Sequence, residues 1–267
     1  MAQLLSSAPT APTFVGPTLL RDDAGLRVWR IQGQTKRLIV CFSGVGRDGD
    51  KSPPPPEFQR LSAQDPRDHV LFIADPARSW LNRPGIVAEI TAAIEAEVLQ
   101  CGATQVCTLG HSLGGFSAVV IPAFTKVDVA VALSPQFSVD PAIVPAERRW
   151  REMRDLIKTF TIGNADDYVR PQTHYFAIFG RHTREAPQRS LARPRPNLDV
   201  YVMPHTHHNT SQKLKAAGIL DQVLMACFDL DRPVVEKVLL DHVQGRLTAL
   251  PIPEGSATPH IGKTGRA

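Results

Sequence analysis

Short, almost continuously apolar runs recur along this chain, and between them the apolar positions switch to helical spacing. The runs lie at residues 38–42, 69–74, 105–109, 127–133, 175–179 and 198–203. A strand that is apolar on both faces has to be covered on both, which is the condition of a parallel strand inside a sheet. Ahead of these runs, residues 17–21 and 26–31 read as a strand pair joined by the turn residues Asp22, Asp23, Ala24 and Gly25. After the 69–74 run, Ile86, Val87, Ile90, Ile94 and Val98 recur at helical spacing from Pro84 onward, and Cys101-Gly102 ends that helix. The alternation predicts an α/β fold, a mostly parallel central sheet covered by helices on both faces. No internal repeat interrupts it.

Two stretches do. Residues 53–56 are four consecutive prolines in the loop after the 38–42 run, stiff enough to form a rim or spacer rather than core. Residues 134–174 are too long for a simple crossover. They hold a charged stretch at 146–153 that predicts a helix continuing toward Phe160, and so a small helical insertion before the penultimate strand. Such an insertion either roofs a pocket or is a solvated amphipathic crossover helix. The polar, Pro/Gly-containing residues 251–267 read as a loose tail. The 267 residues are ample for a single domain, 1–267, with one large core.

The most specific stretch is Gly110-His111-Ser112-Leu113-Gly114-Gly115. It follows the 105–109 strand and precedes Phe116-Ser117-Ala118-Val119-Val120-Ile121, which suits a helix. A serine at so tight a strand-to-helix turn needs small residues two positions either side, and Gly110 and Gly114 supply them. Ser112 would then direct its hydroxyl out of the sheet at the positive end of the next helix. His111, one residue before it, is expected to point away. A serine hydroxyl is a poor nucleophile near neutral pH and needs a base beside it. The candidates lie after the last predicted strand, in Met203-Pro204-His205-Thr206-His207-His208-Asn209-Thr210. Asn209 or Thr210 can cap the following helix and fix that loop.

These features together resemble the α/β-hydrolase superfamily, and the glycine-serine turn is similar to its lipase and esterase version. The resemblance runs from roughly Leu38 to the helix after Asn209, though only the turn is specific by itself. It implies Ser112 as nucleophile and a backbone oxyanion hole from the N–H groups of Val45 and Leu113. Val45 lies in Phe42-Ser43-Gly44-Val45-Gly46, where Ser43 stands at the position of the usual histidine. It places the base at His208, with His207 as the alternative and His205 too close to the strand end. The acid must be a carboxylate that can reach the histidine from the sheet edge. The superfamily often has an aspartate three residues after the glycine that ends the 175–179 strand, but Thr183 stands there. Glu185 is then the first candidate and Asp140, beyond Ser134-Pro135-Gln136, the alternative. Asp75 and Trp80 follow another central strand, where Asp75 either lines the pocket or caps a helix before Pro76.

The histidine cluster also permits a metal reading, but three neighbouring histidines without a carboxylate partner make a poor tetrahedral site, and no metal or other cofactor is expected. Net charge is +4, with no basic run interleaved with aromatics, so nucleic acid is not an expected partner. Cys41, Cys101, Cys107 and Cys227 show no paired spacing. The first residues carry neither a basic nor a long apolar segment, and no stretch is apolar for the length of a membrane span. A reduced, cytoplasmic protein is the expectation. The expected function is a serine hydrolase of esterase or lipase type, cleaving an acyl ester or thioester of a small-molecule substrate through an acyl-enzyme with a Ser-His-acid triad. An acyltransferase with the same residues is one alternative, and a non-catalytic binding protein that kept the fold is another.

Overall fold

The computed structural model describes residues 16–46, 54–63, 66–242 and 248–249. The expected tail at 251–267 and Pro53 of the proline run lie outside them. Each apolar run is a strand. In chain order the elements are β1 (Thr18–Asp22), β2 (Arg27–Ile31), β3 (Arg37–Phe42), β4 (His69–Ala74), α1 (Ile86–Cys101), β5 (Gln105–His111), α2 (Leu113–Val120), β6 (Val129–Leu133) and α3 (Arg151–Arg154). Then follow β7 (His174–Gly180), α4 (Ala186–Arg189), β8 (Leu198–Met203), α5 (Thr210–Ala216), α6 (Leu220–Phe228), α7 (Arg232–His242) and β9 (Thr248–Ala249).

The strands form one sheet in the order β1-β2-β4-β3-β5-β6-β7-β8-β9. Pairing is parallel from β4 through β8 and antiparallel at β1–β2, β2–β4 and β8–β9. Alternate residues of each central strand feed two cores. Leu38, Val40 and Phe42 of β3 pack with Ile86, Ile90 and Ile94 of α1 and Phe116 of α2. Ile39 and Cys41 face Val223, Cys227 and Phe228 of α6 and Val235 and Leu239 of α7. That two-sided burial is why the strands read as unbroken apolar runs. Helix α1 ends as expected: Gly102, at φ 63°, donates its N–H to the Val98 carbonyl at 2.9 Å. The four cysteines are unpaired.

The charged stretch departs from its prediction. Only the single turn Arg151–Arg154 is helical. Its neighbours are drawn into tertiary bonds that a continuous helix would forbid. Buried Arg154 donates from Nε to the Val139 carbonyl at 3.0 Å and also bonds the Glu147 carbonyl. Arg149 turns inward to Glu147 and Glu185. Trp150, at the helix start, adopts φ 57°. Packing has overridden local propensity, as it can when each exposed helical residue gains only tenths of a kcal/mol (roughly 0–0.7 kcal/mol).

The order of the strands also locates a site. From β3 the chain crosses to β4 on one side, and from β5 it proceeds to β6 on the other. The crevice of an open parallel sheet forms where the winding reverses, at the carboxyl ends of the two diverging strands. Here those ends carry Ser43–Gly46 and Ser112.

Candidate active site

The turn between β5 and α2 is built on close backbone approaches. A Cβ on Gly110 would come within 2.1 Å of the Gly114 carbonyl, and one on Gly114 within 2.2 Å of the Phe42 oxygen. Both positions therefore require glycine. Ser112 sits between them at φ 59°, ψ −116°, a region costly for a residue with a side chain, by about 1–3 kcal/mol. Its backbone is fixed by three bonds, from Ser112 N–H to Leu133 O and from the Phe116 and Gln136 N–H groups to Ser112 O.

On the far side, the loops after β7 and β8 are packed backbone against backbone. A Cβ on Gly180 would lie 2.0 Å from the His207 oxygen, and His182 N–H bonds Thr206 O at 3.0 Å. The loop after β7 coils into a single 3-10 turn, Thr183–Glu185, which brings Glu185 rather than Thr183 up to the next loop. Ser112, His208 and Glu185 form one hydrogen-bonded line. His208 Nε2 is 2.8 Å from Ser112 Oγ, and His208 Nδ1 is 3.1 Å from Glu185 Oε2. Ser112 and Glu185 are 4% and 1% exposed, so the line is closed to solvent except around His208.

The other candidates lie elsewhere. His207 is exposed and stacks on His182 at 3.9 Å, and His205 faces solvent, so the three histidines diverge rather than converge on an ion. Asp140 accepts the Ala142 N–H at 2.8 Å and closes a turn of the stretch beyond β6. Asp75 takes the N–H groups of Ala77 and Ser79, and no helix starts at Pro76. Trp80 is fully buried in the core. Asn209 precedes α5 but bonds the His207 N–H instead of capping the helix. His111 does not point away from the site. Its ring lies 5.1 Å from that of His208 and its Nε2 bonds the His208 carbonyl at 2.8 Å. A carbonyl only accepts, so Nε2 carries the proton. Burial first, then the nearby His208, holds His111 down at about 4, so it is neutral at pH 7 and acts as a fixed donor under the His208 backbone.

The loop after β3 is clamped at Ser43, Gly44 and Val45. Ser43 Oγ donates to Pro55 O at 3.0 Å, Gly44 N–H to Glu57 Oε1 at 3.1 Å, and Arg78 Nε to Val45 O at 2.7 Å. The N–H groups of Val45 and of Leu113, the first residue of α2, have no acceptor among the described residues. A cavity of about 850 Å³ opens beside Val45, with Ser112 and His208 in its lining; Phe58, Leu61, Trp150, Leu220 and Leu224 supply apolar wall, and Arg60, Lys215 and Asp221 supply charge. Pro55 and Pro56 form part of its edge, the rim expected of the proline run.

Sequence reading missed four polar groups here. Gln136, fully buried, has Oε1 3.2 Å from Ser112 Oγ, and its only signal was its place at the carboxyl end of β6. Glu57 lines the cavity, and burial pushes its carboxyl up to about 7 against the Gly44 N–H that favours ionisation. Arg149 and Glu147 stand behind Glu185. Burial would raise Glu185, but the hydrogen bond and charge of His208 and the charge of Arg149 outweigh it, and the carboxyl is held below its ordinary range. Among the described residues, one other cluster, His69, Glu97 and Cys101, gathers possible metal ligands within 4.8 Å. His69 Nδ1 already accepts the Gly33 N–H, so the neutral ring keeps its proton on Nε2 and offers an ion no lone pair.

The architecture is that of the α/β-hydrolase fold. Est1E from Butyrivibrio proteoclasticus superposes with a TM-score of 0.56 at 12% identity, over 83% of this chain and 100% of that one. A crystal structure of a putative esterase from Staphylococcus aureus gives 0.54 at 14% identity over 82% and 86% of the two chains. The Pyrococcus furiosus esterase Pf2001 gives 0.51 at 13% identity over 84% and 96%. No family model matches the chain, and no curated protein matches it in sequence. Among the described residues, no helix is long and apolar enough to cross a membrane.

Proposed function

We propose that this protein is a serine hydrolase that cleaves a small acyl ester or thioester through an acyl-enzyme. The hydrogen-bonded line from Ser112 through His208 to Glu185 carries this reading, and esterases among its structural neighbours agree with it. Glu185, ionised, can only accept, so His208 holds its proton on Nδ1 and turns the Nε2 lone pair to Ser112. Ser112 Oγ attacks the carbonyl carbon as its proton passes to Nε2. The negative charge that develops on the carbonyl oxygen is taken by the N–H groups of Val45 and Leu113, with the positive end of α2 behind the second. The imidazolium then protonates the leaving group, and water, activated by the same Nε2, releases the acid.

A volume of about 850 Å³ with a largely apolar wall suits an acyl or alkyl group of moderate size, while Arg60, Lys215 and Asp221 in the lining offer charged contacts to the rest of the substrate. The test is labelling with a fluorophosphonate probe, followed by a panel of acyl esters and thioesters. Ser112→Ala abolishes labelling and lowers turnover by about 10³-fold or more. Full turnover in that variant would remove the serine mechanism. Transfer to added alcohols or amines in preference to water would make the enzyme an acyltransferase, and a wild-type chain that neither labels nor turns over would be a binding protein.

A further inference from the structure

We propose that Arg149, from the stretch between β6 and β7, is a positioning residue for this site: it grips one oxygen of Glu185 and keeps the other ionised and aimed at His208. Its consequence for catalysis rests on the serine-hydrolase reading above; the interaction itself does not.

The two oxygens of Glu185 are divided between two partners. Oε2 meets His208 Nδ1 at 3.1 Å, and Oε1 accepts from Arg149 Nη1 at 2.6 Å. With Glu185 only 1% exposed, both oxygens are shielded from bulk solvent. Arg149 is itself held from behind. Its Nε donates to Glu147 Oε1 at 2.9 Å, its Nη2 to Glu147 Oε2 at 2.5 Å, and its backbone N–H to Glu147 Oε1 at 2.9 Å. Glu147 in turn takes Gln188 Nε2 at 3.0 Å, from α4, which continues directly from the turn carrying Glu185. The guanidinium fork is thus pinned at one end and presents a fixed donor at the other. A lysine could not do this, since it offers a point charge rather than a planar fork.

Charge balance gives the arrangement its purpose. Glu147 and Glu185 ionised, with Arg149 charged, leave one net negative charge while His208 is neutral. When His208 takes the serine proton the cluster becomes neutral, so charge separation is smallest at the moment of attack. Without Arg149 the buried site would carry two negative charges, and Glu185 would face burial with His208 as its main compensation. Among the described residues, the other charged or titratable groups beside the cluster include Arg154, which bonds the Glu147 carbonyl, Arg189, which bonds Gly180 O and His182 O and feels the charge of Glu185, and neutral His111 beside the His208 ring. None of these three bonds the Glu185 carboxylate. Arg149 does not line the cavity, so it acts on the reacting groups without touching substrate.

The test compares wild type with Arg149→Met and Arg149→Lys. Their folding is checked by thermal melts. The His208 imidazole is followed by NMR, and phosphonate labelling and ester turnover are followed against pH. In Arg149→Met, loss of the cation shifts the His208 titration upward by about one pH unit, tenfold in the proton equilibrium. The acid limb of labelling moves with it, and kcat falls about tenfold or more while KM stays within twofold. A folded Arg149→Met that titrates like wild type overturns the proposal whatever its activity. A shifted titration in a wild-type framework that never labels keeps the proposal and removes the serine-hydrolase reading. Should Arg149→Met fail to fold, Arg149→Lys decides. Faster solvent exchange of the His208 Nδ1 proton supports the proposal, and an unchanged exchange rate overturns it.

Discussion

At the Ser112 end of the hydrogen-bonded line, nearly everything needed lies within residues 105–120: a strand, two glycines that admit the close approaches, a strained serine and the helix that follows. At the Glu185 end, the parts come from three separate stretches, the loop after β8, the turn after β7 and the segment holding Glu147 and Arg149. The first end is specified by local geometry, the second by buried charges that meet only when the sheet has formed. The two should therefore fail differently. Damage to the glycines at the first should break the fold, and damage at the second should leave a folded, slow protein.

The largest effect belongs to the turn. Gly114→Val places a branched side chain where a single Cβ already lies 2.2 Å from the Phe42 oxygen and 2.9 Å from its carbon, both backbone atoms that cannot move aside. Overpacking alone costs roughly 1–3 kcal/mol in a forgiving core, and here the clash is with the adjacent central strand. The expected outcome is loss of soluble protein or a stability drop above about 4 kcal/mol, read by denaturant unfolding. A normally stable Gly114→Val would show that the β5–α2 turn is not held against β3 as described.

At the other end, Glu185→Gln should fold. The amide keeps the size of the side chain, and Arg149 retains its bonds to Glu147. Yet an amide can offer His208 a donor in place of an acceptor, so the wrong tautomer competes, and acylation should slow by about 10²–10⁴-fold. Asp140→Asn is the control, with rates within about twofold, since its carboxylate serves the turn at Ala142. Equal losses from both substitutions would move the acid to the stretch after β6.

This contrast also explains what could be read from the chain. The strands, α1 and the serine turn were legible because two-sided burial writes itself as apolar runs and a tight turn writes itself as glycine. His208 and Glu185 could be named only as one possibility among neighbours. Nothing in Gly180-Arg181-His182-Thr183-Arg184-Glu185 announces that a 3-10 turn will carry the last residue, not Thr183, to the histidine. The stretch at 146–153 reads as a helix because its charges resemble a solvated face, yet only Arg151–Arg154 is helical. Inward-turned, hydrogen-bonded arginines and exposed ones have the same letters, and only tertiary contacts separate half-buried Arg149 and buried Arg154 from exposed Arg148.

Glu57 is one of the long-range supports of the loop beside Ser112, and pH exposes it. Its carboxyl is pushed by burial from 4.5 to about 7 in the folded chain. A carboxyl with a raised folded value keeps its proton more tightly when folded, so its contribution is intact below about pH 4.5 and is lost as pH rises toward 7. Glu57→Gln cannot ionise and still offers Gly44 N–H an oxygen. Its stability should match wild type near pH 4.5 and exceed it by up to about 3 kcal/mol at pH 8, measured by urea unfolding at the two values. A constant difference across pH would mean that Glu57 is solvated in the folded protein.

The smallest effect isolates the strain at the serine itself. Ser112→Ala and Ser112→Gly both remove the hydroxyl and its contacts with His208 and Gln136, so those losses cancel when the two variants are compared with each other. They differ in what φ 59°, ψ −116° costs them. Alanine keeps the Cβ that makes this region unfavourable, whereas glycine enters it freely and gives back only its larger unfolded-state entropy, roughly 0.5–1 kcal/mol. With strain of about 1–3 kcal/mol at such a position, Ser112→Gly should be the more stable by about 1 kcal/mol, a melting point some 2–4 °C higher. Neither variant should label with phosphonate, so stability and activity part company at this one residue. Equal melting points would mean that the backbone at Ser112 is relaxed and that the two glycines alone account for the conformation of the turn.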